Sequence, residues 1–207
     1  MHDLKHNWEA LTASFCADPA LRGRMYHELQ TRYQEPQRAY HSLTHIQALF
    51  ELWQEYQTEF QDPLSVGLAI WFHDAIYNPR KGKNELYSAR LAKRQLGQMG
   101  ASAALQARVA DLVLATAGHK ADPADGDALL FLDLDLSILG AEPEVYGAYL
   151  AQIRREYHFV PGFLYTRARL RFVRGWLARP RLFMSEVGHG RWEAAARVNL
   201  AGELERG

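Results

Sequence analysis

Apolar residues recur along this chain mainly at three- and four-residue intervals, while alternating runs of β-branched residues are nearly absent, a pattern that predicts helices rather than strands. Residues 4–15 and 18–33 read as the first two helices. The second has Asp18 as N-cap, Pro19 at the first helical position, and Leu21, Met25, Leu29 and Tyr33 on one face. Pro36 ends that unit. Thr44 to Gln47 fits a capping box, and Ile46, Leu49, Phe50, Trp53, Tyr56 and Phe60 follow at helical spacing, which places His45 in a first helical turn. Asp62 and Pro63 start a helix that is apolar nearly all round, through Leu64, Val66, Leu68, Ile70, Trp71, Phe72, Ala75 and Ile76, until Asn78 and Pro79 break it. Such a helix is central and buried. It carries His73 and Asp74.

Further on, a basic loop from Pro79 to Lys83 precedes a helix over Asn84 to Met99, closed by Gly100. A helix over 102–117 turns Leu105, Val109, Leu112 and Val113 inward and ends at Gly118, with His119 next. Residues 120–127, KADPADGD, form an acidic loop, and the helical run FLDLDLSILG stops at Gly140. Three more helices, over 142–158, 161–178 and 191–204, complete an all-α chain read as one helical domain over residues 1–207, with no repeat, low-complexity tract or linker.

Composition narrows the class. A chain of 207 residues can fill one sizeable core. Lys plus Arg and Asp plus Glu both number 24, and this balance argues against a general nucleic-acid binder, so no stable nucleic-acid complex is expected. One local exception is the arginine-dense run YTRARLRFVRGWLARPR, residues 165–181, whose forks suit phosphate or carboxylate. Its plainer reading is a solvated helix face paired to acidic residues elsewhere. The single cysteine, Cys16, excludes an internal disulfide and a multi-cysteine zinc site, and reads as a packing residue in a reducing compartment. His2, Asp3, Lys5, His6, Asn7 and Glu9 interrupt any leader-like stretch, and no apolar run is long enough to span a bilayer, so a soluble cytoplasmic protein is expected.

Four places set metal-binding side chains against apolar helical surface: His41 and His45 in YHSLTHI, His73 and Asp74 in WFHDAIY, His119 in TAGHK, and Asp133 and Asp135 in LDLDLSILG. Taken singly, such a His is more often a hydrogen-bonded core residue and such an Asp a helix cap. Their order, a His, a His-Asp pair, then an Asp, on separate helices, is more specific. An imidazole beside a carboxylate in an apolar helix costs several kcal/mol unless something compensates it, and two imidazoles with two carboxylates offer a mixed N/O site to a divalent ion. The acidic loop with Asp122, Asp125 and Asp127 lacks the twelve-residue spacing and closing Glu of a calcium loop.

These runs, together with NELYSA and IRREY, resemble the HD superfamily of metal-dependent phosphohydrolases, and within it a small bacterial branch of predicted HD phosphohydrolases. The resemblance covers about Tyr40 to Leu204, with its clearest motifs between 40 and 140. It implies an HD-type helical bundle with a buried site for one divalent ion (Mn, Fe, Co, Ni, Zn or Mg) held by His45, His73, Asp74 and Asp135. His45 is preferred to His41 because it starts an amphipathic helix with Leu49 one turn on; His41 then faces substrate, lies behind the ligands, or bonds in the core. Asp135 is preferred to Asp133 because it directly precedes a Leu-rich helical turn, leaving Asp133 beside the site or as a cap.

The implied activity is hydrolysis of a small phosphorylated substrate, a nucleotide or related phosphate ester, by metal-activated water. Asp74 or Glu85 would accept the water's proton, His119 would contact phosphate, and Lys81 and Lys83, with Arg80, would bind it; a solvated basic loop and a helix-start carboxylate are the plainer readings of the last set and of Glu85. Trp71 and Tyr77 are either base-stacking or core aromatics. The alternative is a non-catalytic nucleotide-binding or regulatory module using the same metal site. A homodimer is left open.

Overall fold

A computed structural model describes residues 4–206; His2 and Asp3, which entered the argument against a leader, lie outside the described residues. The expectation of an all-α chain is met: the described residues form ten α-helices and no strand. They are α1 (Leu4–Thr12), α2 (Pro19–Tyr33), α3 (Leu43–Glu55), α4 (Pro63–Phe72), α5 (Asn84–Gln98), α6 (Ala103–Ala115), α7 (Gly126–Leu136), α8 (Pro143–Glu156), α9 (Gly162–Leu177) and α10 (Glu186–Arg206). No helix among them is long and apolar enough to cross a membrane. Contacts group the chain into two compact units that divide between Leu132 and Asp133, inside the uninterrupted helix α7.

The first unit is built around α4, which packs on α1, α3, α5 and α6. Every residue from Ser65 to Phe72 is buried, as the all-round apolar pattern requires. Asp62 accepts from Ser65 N at 3.0 Å and Pro63 occupies the first turn, so the helix starts where its sequence says. Asp18 likewise caps α2, accepting from Ala20 N and Leu21 N. Trp71 is fully buried, edge-on to Trp8 and Tyr26, and is a core aromatic.

The expected bounds of two helices are corrected here. The α4 helix ends at Phe72, not near Asn78, and His73 is its C-cap. The cause is tertiary: carbonyls that further helix would have satisfied find side-chain donors instead, Trp71 O from Tyr33 Oη at 2.9 Å and Asp74 O and Ala75 O from Arg38 at 2.8 and 3.2 Å. The α3 helix begins at Leu43 with Ser42 as N-cap, so Thr44 is inside the helix rather than heading a capping box, and the helix stops at Glu55, before Phe60. In the acidic loop the carboxylates serve the chain itself. Arg108 grips Asp125 through two bonds of 2.6 and 2.8 Å, and Asp127 accepts from Gln61 N and Asp62 N at 2.8 Å each.

In the second unit α9 and α10 pack together, and α10 lies on the 3₁₀ turn Ser137–Gly140. The helical run stops at Gly140 as expected, and the glycine is also needed for that approach, since a Cβ there would meet Trp192 Cβ at 2.6 Å and its carbonyl oxygen at 2.7 Å. Asn199 Nδ2 fastens the same turn by donating to Leu139 O and Ala141 O at 2.9 and 2.8 Å. The last helix starts at Glu186 rather than at 191. Asp133 explains the earlier start: it accepts from Met184 N at 2.9 Å and from Ser185 N and Oγ at 2.6 Å each, and Ser185 Oγ in turn accepts from Gly188 N at 2.9 Å. Asp133 therefore holds Ser185, the residue that caps a distant helix, and does not cap its own.

Candidate metal centre

His73 is nearly fully buried, at 1% exposure. Its Nδ1 lies 2.9 Å from Ile70 O, and because a carbonyl only accepts, Nδ1 carries the proton there. The other ring nitrogen therefore points away from the helix with its lone pair available in the neutral ring. Two groups meet it. Asp74 Oδ2 lies 3.2 Å from His73 Nε2, and His45 Nε2 lies 3.2 Å from the same atom.

Each supporting element fixes one of these groups. His45 is buried in the first turn of α3, its ring edge-on to His73 with centroids 5.3 Å apart. Asp74 sits just beyond α4, its side chain about one-fifth exposed (19%). Asp135 comes from α7. Phe131, on that helix, meets the His73 ring edge-on at 6.0 Å, and Asp135 is four residues further along, hence one turn on and on the same face. Donor atoms of His45, His73 and Asp135 all lie within 4.8 Å of one another, and these three form a cluster that could hold a metal ion.

The donor set suits a cation. An ionised carboxylate is acceptor-only, and an imidazole lone pair facing it at 3.2 Å is repulsive unless a proton or a metal ion lies between. Two adjacent ligands held about 2.0–2.1 Å from one ion in octahedral or tetrahedral arrangement stand about 2.8–3.4 Å apart. Both 3.2 Å separations at His73 fall in that range. Imidazole with carboxylate is a borderline-to-hard set that accepts several first-row divalent ions.

His41 stacks on Tyr77, with centroids 4.3 Å apart and planes 27° apart, and its Nε2 is 3.9 Å from Asp74 Oδ2. Asp133 is buried and turned to the start of α10; burial pushes its carboxyl above the ordinary aspartate value, opposed by the bonds from Ser185 and Met184. Lys81 and Lys83 are exposed on the loop between α4 and α5, and Lys83 takes a left-handed conformation (φ 71°) at the head of α5. Glu85 lies in the first turn of α5, and His119 lies in the turn after α6 with φ 52°. Glu85 and His119 lie outside the three-residue donor cluster, and so does Asp74, which meets it through His73.

The sequence reading missed Arg38. Its side chain is fully buried, and it donates to His41 O at 3.0 Å, Asp74 O at 2.8 Å and Ala75 O at 3.2 Å, with Glu35 Oε2 at 3.1 Å. Its guanidinium also lies over the rings of Tyr33 and Tyr77, 5.0 and 5.4 Å from their centroids. One residue thus ties the segment carrying His41 to the turn carrying His73 and Asp74. Nothing in hydrophobic periodicity marks it, because its partners are backbone atoms. A second missed clasp closes the basic loop, with Asn78 N donating to Asn84 Oδ1 at 3.1 Å and Asn84 Nδ2 donating to Asn78 O at 3.2 Å. No protein-family profile, curated protein or solved structure matches the chain.

Proposed function

We propose that the chain is a metal-dependent phosphohydrolase acting on a nucleotide or related small phosphate ester, with one divalent ion of the Mn, Fe, Co, Ni, Zn or Mg group held by His45, His73, Asp74 and Asp135. The observation that carries this reading is the convergence on His73 Nε2 of His45 Nε2 and Asp74 Oδ2, each at 3.2 Å, beside Asp135. A bound ion would acidify a water and polarise a phosphoryl oxygen. The side chains divide the remaining work. The buried pair of histidines fixes the ligand geometry from two helices, through the Ile70 carbonyl in the case of His73. Asp74, partly open to solvent, would take a proton from water, with Glu85 as the second candidate base. His41 stands beside Asp74 and offers a ring nitrogen to substrate oxygen, while Lys81, Lys83 and His119 supply positive charge or donors for phosphate.

The test is phosphate release from a panel of nucleotides and phosphate esters with Mn²⁺, Co²⁺, Ni²⁺ or Mg²⁺ supplied, for wild type, His73→Ala and Glu85→Gln. Metal-dependent turnover that His73→Ala abolishes supports the proposal, and loss in Glu85→Gln with metal retained assigns the base. Bound metal without turnover on any substrate overturns catalysis in favour of a nucleotide-binding module on the same site.

A further inference from the structure

Between Glu156 and Glu186 the chain carries six arginines and no lysine, aspartate or glutamate, although the whole molecule has no net charge. Three of the six are engaged. Arg169 donates to both oxygens of Glu203 at 2.9 and 2.7 Å, Arg181 donates to Glu186 at 2.9 Å, and Arg179 lies 3.9 Å over the Trp176 ring. The other three, Arg167, Arg171 and Arg174, are exposed and make no ion pair among the described residues, so the reading of this run as a salt-bridged face holds for Arg169 and Arg181 but not for these three. At about 100° per residue they share one arc of α9 with Phe163 and Leu164, while Val173 and Trp176 are buried on the other side. Phe163 is 75% exposed and Leu164 44%.

We propose that this face of α9 binds the backbone and bases of a single-stranded nucleic acid. Guanidinium forks match phosphate oxygens, and Arg167 to Arg174 covers about 10 Å of helix with three of them. Phe163, one turn before Arg167, presents a solvent-exposed ring on which a base can stack. Other aromatic residues lie next to it in the chain: Tyr157 stacks on Phe159 at 6.0 Å and meets Tyr165 at 6.2 Å. A helix that lies in a lipid surface segregates its apolar and cationic residues to opposite faces, whereas here they share one. An acidic peptide would account for the arginines but not for the exposed ring. The balanced charge of the whole chain, which argued against such a partner, hides a local excess.

The experiment is fluorescence anisotropy of end-labelled 20-nucleotide single strands, RNA and DNA separately, titrated with the full chain in EDTA at 50 and 200 mM salt. Three phosphate contacts predict a log–log salt slope of about −2, or about twentyfold weaker binding across that range. Arg167→Ala/Arg171→Ala/Arg174→Ala, all exposed positions, should keep the helical circular dichroism spectrum, lose more than about tenfold in affinity and flatten the salt slope. Phe163→Ala should weaken binding at both salt concentrations alike. Wild type that binds neither strand, or a folded triple variant that binds as wild type does, overturns the proposal. Binding to phosphatidylserine vesicles, lost in the triple variant while neither strand is bound, overturns it in favour of a lipid surface.

Discussion

Replacing Arg38 tests whether the candidate centre is held together from behind. The Arg38→Ala variant removes the donor to three carbonyls, those of His41, Asp74 and Ala75, from a site where the guanidinium is fully buried. The ion pair with Glu35 contributes little to the sum, because Glu35 is 36% exposed and solvent screens it. Hydrogen bonds involving a charged partner are worth about 1.5–3 kcal/mol each, so three bonds set a gross loss of about 4.5–9 kcal/mol. Water entering the vacated space recovers part of this, leaving about 3–5 kcal/mol, the range for breaking a buried charged network. That is a large share of the roughly 5–15 kcal/mol that holds a domain folded. Arg38→Lys keeps the charge, but one ammonium cannot serve three carbonyls with a guanidinium's fixed fork, and about half the loss should remain. Urea unfolding followed by far-UV circular dichroism, in EDTA, measures the stability change. Calorimetric titration with Mn²⁺ under native conditions measures the second effect, a fall in metal affinity on the order of tenfold through displaced ligands. An Arg38→Ala variant within about 1 kcal/mol of wild type and with unchanged metal affinity would refute the reasoning, since a guanidinium dispensable to both cannot be positioning the turn.

Asp74→Ala should lose bound metal, measured by elemental analysis after dialysis, with helical content unchanged because Asp74 lies beyond the end of α4; full occupancy would remove it from the ligand set. Gly140→Ala should destabilise by at least about 2 kcal/mol in urea unfolding, since the added Cβ meets Trp192 main chain and Cβ atoms under 3.0 Å away; a change under about 0.5 kcal/mol would contradict the packing of α10 on that turn. Glu193 is buried, which raises its pKa, but N–H bonds from Leu182 and Phe183 and the Arg197 pair outweigh this and hold it below the ordinary 4.5. Its ionised form therefore stabilises the fold above 4.5, and that contribution disappears as pH falls through the depressed value. The stability of Glu193→Gln measured from pH 7 down to pH 2 should converge on wild type only at the acid end, and a constant difference across the whole range would contradict the assignment.

What was legible in the sequence was what neighbouring residues decide. Asp18 with Pro19 and Asp62 with Pro63 start their helices as local capping chemistry dictates, and the apolar run after Pro63 marks a helix buried all round from Ser65 to Phe72. Illegible were the features decided by residues far away in the chain. Asp133 looks like a cap for its own neighbourhood and instead accepts from Met184 and Ser185, setting where α10 begins. Gly140 looks like a helix terminator and is one, but its second role, leaving room for Trp192, depends on a residue far along the chain. The arginine run looks like a paired surface, and the pairing can be assessed only when the positions of its acidic neighbours are known.

The end of α4 shows why the candidate centre was only half legible. His73 and Asp74 were expected to straddle an ion from within a helix, where successive side chains diverge by about 100°. Because the helix ends at Phe72, the backbone turns after His73, and Asp74 Oδ2 comes to 3.2 Å from His73 Nε2. Leaving the helix also exposes carbonyls that a buried turn cannot leave unpaired. Arg38 answers two of them, at Asp74 and Ala75, and a third at His41, four residues before His45. The interruption that lets the His-Asp pair converge is therefore the same one that requires the guanidinium. That guanidinium joins the two segments from which His41, His45, His73 and Asp74 project, so altering Arg38 should move stability and metal affinity together.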